Sequence, residues 1–426
     1  MAKNTDLNLR NAVIYSVYIR NHTEEGTFRA AEKDLPRIRE LGTDIVWLMP
    51  IHPIGVVGKK GSLGCPYANR DYRAVNPEYG TLEDFIHFVD AVHENGMKCM
   101  IDVVYNHTSK DSVLCAEHPE YFYHNPDGSF GNRLGDWSDV NDLDYSDPGL
   151  WDYLCDTLCY WAQWVDGFRC DVASLVPVAF WKKARAAVEQ VRPGCIWLAE
   201  SVHASFNQAA RRMGLPAATD VEAFEAFDLE YDYDIRETLD AYWAGKGSLS
   251  TFVAMLNYQE GIYPNNYIKM RCAENHDQPR IASRYSDPAI LRNWHAFVFF
   301  QKGATLLYAG EERTDANLPS LFEKDPVNWD GPDISEELKQ LIRLKKSLFP
   351  VDGWFRGTCD DGTGIVSATF GNGTTELVGV FSLEGKTAEA AVDAKDGTYT
   401  NLLSGEAVTV KNGMMLCSGE PIIFKK

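Results

Sequence analysis

GFRCDVA, residues 167–173, is the stretch on which the fold turns. Its small and apolar residues are those of a buried strand, yet Arg169 and Asp171 stand two positions apart within it. Side chains at i and i+2 share one face of a strand. A guanidinium and a carboxylate therefore lie side by side on a face that otherwise reads as interior. Such a pair is tolerated where each charge offsets the desolvation of the other.

Outward from this stretch, short β-branched and aromatic runs alternate with amphipathic ones. The strand-like runs are VIYSVYIR (13–20), DIVWLMP (44–50), KCMIDVVYNH (98–107), GFRCDVA, CIWLAES (195–201), AFDLEYDYD (226–234), YIKMRCAENHD (267–277) and ATLLYAGEE (304–312). Helical runs lie between them, such as TLEDFIHFVDAVHENG, with a Thr cap and a Gly stop. Eight strand–helix units predict an α/β protein with a parallel (β/α)8 barrel, although alternation alone also permits a doubly wound sheet. Two segments stand outside the repeat. Residues 108–148, which end in the turn-rich HPEYFYHNPDGSFGNRLGDWSDVNDLDYSDP, form a short inserted domain after the third strand. From 350 onward, runs such as FGNGTTELVGVFSLEGK predict a C-terminal antiparallel β-sandwich domain over 350–426. The barrel then comprises residues 1–107 and 149–349.

The chain of 426 residues is long enough for one large and one smaller domain, and its 24% charged content is ordinary for a globular protein. Its 61 acidic against 41 basic residues give a net charge of −20. That excess argues against nucleic acid and anionic membranes as partners and suits a neutral substrate; it also aids solubility. Ten cysteines are scattered without a C-x-x-C pair, and four of them (Cys99, Cys170, Cys195 and Cys272) fall in or beside strand runs, where cysteine acts as a small hydrophobe. The N-terminal MAKNTDLNLRNAVIYSVYIR lacks the apolar core of a signal peptide, and no run approaches a membrane span. Reduced thiols in a cytoplasmic protein are the expectation.

Polar side chains gather at the C-terminal ends of the strand runs: Asn106 and His107 at the third, Arg169 and Asp171 in the fourth, Glu200 at the fifth, His276 and Asp277 at the seventh. In a (β/α)8 barrel that edge carries the catalytic groups. Any one of these could cap a helix; three carboxylates, two histidines and an arginine from four strands are a site.

IDVVYNH, GFRCDVA, WLAES and ENHD resemble, in order and spacing, the four sequence regions of the α-amylase family, glycoside hydrolase family 13. LGTDIVWLMPI, GCPYANRDYRAVNPEYGT, VNDLD and ATLLYAGEE resemble further family segments, so the likeness runs from about residue 12 to 350. It implies retaining chemistry, in which two carboxyls stand about 5–5.5 Å apart and one becomes covalently attached to the sugar. By this resemblance Asp171 is the nucleophile, Glu200 the acid/base and Asp277 the third carboxylate, fixing sugar hydroxyls. Arg169 favours the ionised form of Asp171, His107 and His276 bind hydroxyls of the sugar, and Tyr67 lies beneath it. The family also implies a structural Ca2+, held in part by Asn106 and Asp142, whose oxygens suit a hard cation. The Asp-rich loop that binds a second metal in some relatives is absent from NHTEEGTF.

The sequence departs from endo-acting α-amylases three and four positions after the nucleophile. Where many carry Lys-His, this chain has Ser174 and Leu175. Val172 follows the nucleophile as in relatives that accept α-1,6 bonds. The resemblance thus implies a hydrolase of α-1,4 bonds in starch-derived or maltooligosaccharide substrates. It leaves open a 4-α-glucanotransferase or other transglycosylase or isomerase, an exo-acting α-glucosidase, and a silent sugar-binding relative.

Overall fold

The computed structural model describes residues 2–134 and 137–426; Gly135 and Asp136, in the expected inserted domain, lie outside the described residues. In chain order the strands begin with β1 (Val13–Val17), β2 (Ile45–Leu48) and β3 (Lys98–Val103). An inserted pair follows, β4 (His107–Ser109) and β5 (Val140–Asp142). Then come β6 (Gly167–Cys170), β7 (Ile196–Ala199), β8 (Leu229–Tyr231), β9 (Lys269–Arg271) and β10 (Ala304–Tyr308). Leaving aside the inserted pair, these strands close into a barrel in the order β1–β10–β9–β8–β7–β6–β3–β2. The doubly wound alternative is therefore excluded.

The chain divides into two compact units, the first chiefly Tyr15–Tyr231 with Pro319–Val327. In it β2, β3, β6, β7 and β8 pair in parallel, and the register sets Asp102 of β3 opposite Arg169 of β6. Gly167 opens β6 because there is no room for a side chain: a Cβ would meet Ile196 O at 2.8 Å and Met100 Cε at 3.0 Å. The helix Leu82–Glu94 starts on a Thr81–Asp84 capping box. It buries Phe85, Phe88, Val89 and Val92, the i, i+3, i+4, i+7 stripe of a core-facing helix. The inserted segment is less irregular than its turn residues suggest. β4 and β5 form an antiparallel ladder that sets His107 opposite Asp142.

The second unit comprises Thr5–Ile14, Asp232–Leu318 and Asn328–Lys426. It contains β9, β10 and the strands β11 (Trp354–Asp360), β12 (Ile365–Gly371), β13 (Glu376–Ser382), β14 (Ala388–Ala391), β15 (Gly397–Thr400), β16 (Ala407–Lys411), β17 (Met414–Cys417) and β18 (Ile422–Lys425). These last eight make two four-stranded antiparallel sheets, β11–β12–β13–β18 and β14–β17–β16–β15. Ile365, Val378, Val380 and Phe424 of one sheet pack with Ala390, Val410, Met415 and Cys417 of the other into one core, as in a sandwich.

All ten cysteines are free. No helix among the described residues is long and apolar enough to cross a membrane.

Candidate active site

Arg169 is the centre of the site. Its side chain is fully buried, and three carboxylates meet it. Nη1 donates to Asp171 Oδ1 at 2.8 Å and to Asp102 at 2.9 and 3.1 Å, while Nη2 lies 2.9 Å from Glu200 Oε2. Nε donates to the Tyr231 hydroxyl at 3.2 Å. The guanidinium also lies over the rings of Trp47, Tyr67 and Tyr231 at 5.3, 5.6 and 5.3 Å, a cation–π enclosure that compensates part of its desolvation. Burial opposes its charge, but Asp102 and Glu200 outweigh it and hold the guanidinium well above its ordinary range.

Backbone bonds set the carboxylates in place. Asp171 N donates to Val103 O at 2.9 Å and Glu200 N to Cys170 O at 3.0 Å, so each residue sits one step beyond the C-terminal end of its strand. Between them Val172 is held in the left-handed region at φ 35°, an unusual conformation for a β-branched residue. The twist aims its N–H at Glu200 Oε2, 2.8 Å away, and Ala173 N reaches Glu200 O at 3.1 Å. A strained backbone thus serves to orient one carboxylate.

The i, i+2 pair is therefore real, but it is only part of the answer to why the strand accepts a charge. Asp102, on the neighbouring strand, completes the set. Burial pushes its carboxyl up to about 7 against the pull of Arg169. A partly protonated Asp102 eases the crowding of three acids on one cation. Tyr67 donates to Asp102 Oδ2 at 3.1 Å, so its ring is anchored to the same cluster.

His107 leads into β4 and is buried, with its ring 5.2 Å from that of Trp137. Asn106 Nδ2 lies 3.2 Å from His107 Nδ1. In the second unit, His276 and Asp277 follow β9 and pair with each other, Nε2 to Oδ2 at 3.1 Å. Asp277 N donates to Asn275 Oδ1 at 2.9 Å, and Asn275 in turn donates to the Tyr233 hydroxyl. The Asp277 side chain is 38% exposed, unlike the buried His276.

Ser174 and Leu175 are buried, and Leu175 packs with Val172, Val202 and Leu215 against Leu134, Trp137 and Phe206. An apolar wall thus occupies the neighbourhood of the missing Lys-His pair. The two residues expected to hold calcium are neighbours as well: Leu143 N donates to Asn106 O at 3.0 Å, next to Asp142. Asp142 Oδ2, however, accepts from Arg133 N at 2.9 Å and Nε at 3.1 Å.

Sequence reasoning missed Asp102, Trp47, Tyr231 and Arg133. Asp102 was detectable by the sign that exposed Arg169, a charge inside an apolar strand. Trp47 and Tyr231 look like ordinary core aromatics, and only the register reveals what they enclose.

Residues 14–347 match the alpha amylase catalytic domain and residues 357–424 the bacterial alpha amylase C-terminal domain. Among solved structures the chain is similar to an alpha-amylase from Lactobacillus plantarum, 43% identical with TM-score 0.94, covering 99% of this chain and 100% of that one. It is also similar to a noncanonic maltogenic alpha-amylase AmyB from Thermotoga neapolitana, 33% identical with TM-score 0.87, covering 98% and 99%. An alpha-1,4-glucan:maltose-1-phosphate maltosyltransferase of Myxococcus xanthus is 34% identical over 203 residues, 43% of this chain. That match spans 30% of the relative's length, so the likeness covers under a third of it. With a family model matching from β1 through the last barrel helix and a buried cluster of carboxylates on one arginine, the chain belongs to the α-amylase family of glycoside-active enzymes.

Proposed function

We propose that this enzyme cleaves α-1,4-glucosidic bonds of maltooligosaccharides with retention of configuration. Asp171 attacks the anomeric carbon while Glu200 gives its proton to the departing oxygen, leaving a covalent glycosyl-enzyme. Glu200, now a carboxylate, takes a proton from water, and that water releases the sugar from Asp171. Asp277 and the histidines 107 and 276 hold hydroxyls, and Tyr67 supports the ring.

One observation carries this reading: Asp171 and Glu200 occupy the two terminal nitrogens of a single guanidinium, at 2.8 and 2.9 Å. A bridge of that size favours the short carboxyl spacing of retaining enzymes over the wider gap that admits a water. Arg169 Nη1 donates to Asp171 Oδ1 at 2.8 Å and so fixes the orientation of the attacking carboxylate. The substrate class rests on the family and on relatives whose names carry α-1,4-glucan and maltose.

Transfer to a second sugar is the alternative outcome. The half-buried rings of Trp137 and Phe206, packed on the buried Val172, Leu175 and Val202, favour it, because an aromatic face holds a sugar better than it holds water. Incubation with concentrated maltotriose separates the two. Glucose and maltose alone indicate hydrolysis, and longer chains indicate transfer. Proton NMR of the first product should give the α anomer; initial release of the β anomer would refute retention.

A further inference from the structure

The joint between the barrel and the inserted segment is built on a buried carboxylate. Asp142 is 2% exposed and lies opposite His107 in the β4–β5 ladder. A carboxylate so placed needs a cation or several donors. It has both in one residue. Arg133 gives Oδ2 its backbone N–H at 2.9 Å and its Nε at 3.1 Å, and Nη2 of the same guanidinium donates to Leu143 O at 3.2 Å. The guanidinium lies 4.9 Å over the ring of Tyr123, which is tied to the same turn through Tyr123 N to Asp142 O at 3.0 Å.

These residues do not make a calcium cage. Calcium takes six to eight oxygens at about 2.3–2.6 Å. Of the two implied ligands, Asn106 turns its amide nitrogen to within 3.2 Å of His107 Nδ1, and Asp142 has given one oxygen to Arg133. Asp142 Oδ1 is buried without a hydrogen-bond partner, but a divalent ion there would share one carboxylate with a guanidinium and be repelled by it. Among the described residues no group of three His, Cys, Asp or Glu side chains is arranged to hold a metal.

We propose that Arg133 is the built-in cation of this joint, standing where the family's calcium would, and that through Asp142 it positions His107. The fold then needs no metal. Arg133 touches no reacting atom on this account; it acts through the ladder that presents His107 to the substrate.

Melting temperature and calcium content test this whichever reaction the enzyme catalyses. The full-length protein, treated with EDTA and returned to millimolar calcium, should shift its Tm by less than about 1 °C and contain far less than one calcium per chain by elemental analysis. Stoichiometric calcium, or a Tm that falls by several degrees on chelation, overturns the proposal. The Arg133→Ala variant takes the positive charge and the Nε bond away from Asp142 Oδ2 and leaves it the backbone N–H alone. It should melt lower, gain a calcium-dependent rise in Tm, and raise KM by roughly tenfold while kcat falls less. An Arg133→Ala variant with unchanged Tm and KM also overturns it. If that variant does not fold, Arg133→Lys serves: it retains a charge but loses the bond to Leu143 O, and should show a smaller rise in KM with no response to calcium. A Lys variant indistinguishable from the native protein counts against the proposal.

Discussion

Arg169 and Arg280 are both fully buried arginines set against a carboxyl that burial pushes up to about 7, yet they serve different ends. Arg280 gives two of its three hydrogen bonds to main-chain carbonyls and one to a carboxylate. It bonds Glu274 Oε1 at 2.5 Å, Ala309 O at 2.8 Å and Asn317 O at 3.0 Å, while Glu274 Oε2 accepts from Ile281 N at 2.7 Å. That network closes the loop carrying His276 and Asp277. Arg169 instead directs its donors to carboxylates and a phenol. A raised carboxyl therefore does not mark a catalytic site by itself. Where the arginine directs its hydrogen bonds separates a strut from a reactive centre.

The contrast breaks most sharply on activity. Asp171→Asn should cut kcat by about 10⁴-fold or more on maltooligosaccharides with Tm nearly unchanged by calorimetry. Glu274→Gln should do the reverse: it strips Arg280 of the carboxylate it is hydrogen-bonded to, leaving only Asp315 at 3.6 Å, and should cost ~3–5 kcal/mol of stability, while the folded fraction keeps most of its turnover. If Glu274→Gln were the less active of the two, the distinction drawn from the partners of the two arginines would fail.

Asp102 tests the boundary between the two roles. Asp102→Asn should lower kcat by roughly 10²-fold through misplacement of Arg169. It should also alter the dependence of stability on pH. The native carboxyl titrates near 7 against an ordinary value of 3.8, so between these limits the folded state binds more protons than the unfolded one. Stability from this group is thus full below about pH 4 and is lost as pH rises towards 7. Denaturant titrations across that window should give a flatter profile for the variant.

Lys345 extends the series to a buried cation whose hydrogen bonds run to carbonyls, Phe299 O at 3.1 Å and Gln301 O at 3.2 Å. Burial, with Arg271 adding to it, pushes its amine from 10.5 down to about 7. The unfolded state then binds more protons between these values, and stability should climb as pH rises from 7 to 10.5. Lys345→Met should lose that climb in Tm measured over the same range and leave KM alone. Smallest of all, Val172→Gly should shift stability by no more than about 1 kcal/mol, since relief of the left-handed strain is offset by a freer unfolded chain. A few-fold fall in kcat, from a looser N–H behind Glu200, would accompany it.

Much of this was legible in the chain. The eight units, the strand ends bearing Asp171, Glu200 and Asp277, and the β domain after residue 350 follow from periodicity and from charges placed where apolar residues were due. The boundaries were less so. VIYSVYIR looks like one strand to residue 20, but β1 ends at Val17 and a short helix begins at Ile19, because the polar Arg20 and Asn21 leave the ladder for bonds of their own.

Composition and spacing determined which side chains carry charge at the strand ends, since a period of two assigns each residue to a face without knowing its neighbours. They could not decide the register between strands. That register brings Asp102 opposite Arg169, sets Asp142 against His107, and leaves room for Arg133 where a metal was expected. Pairings between residues tens of positions apart depend on how whole strands align, and on which charge must be matched once water has been excluded.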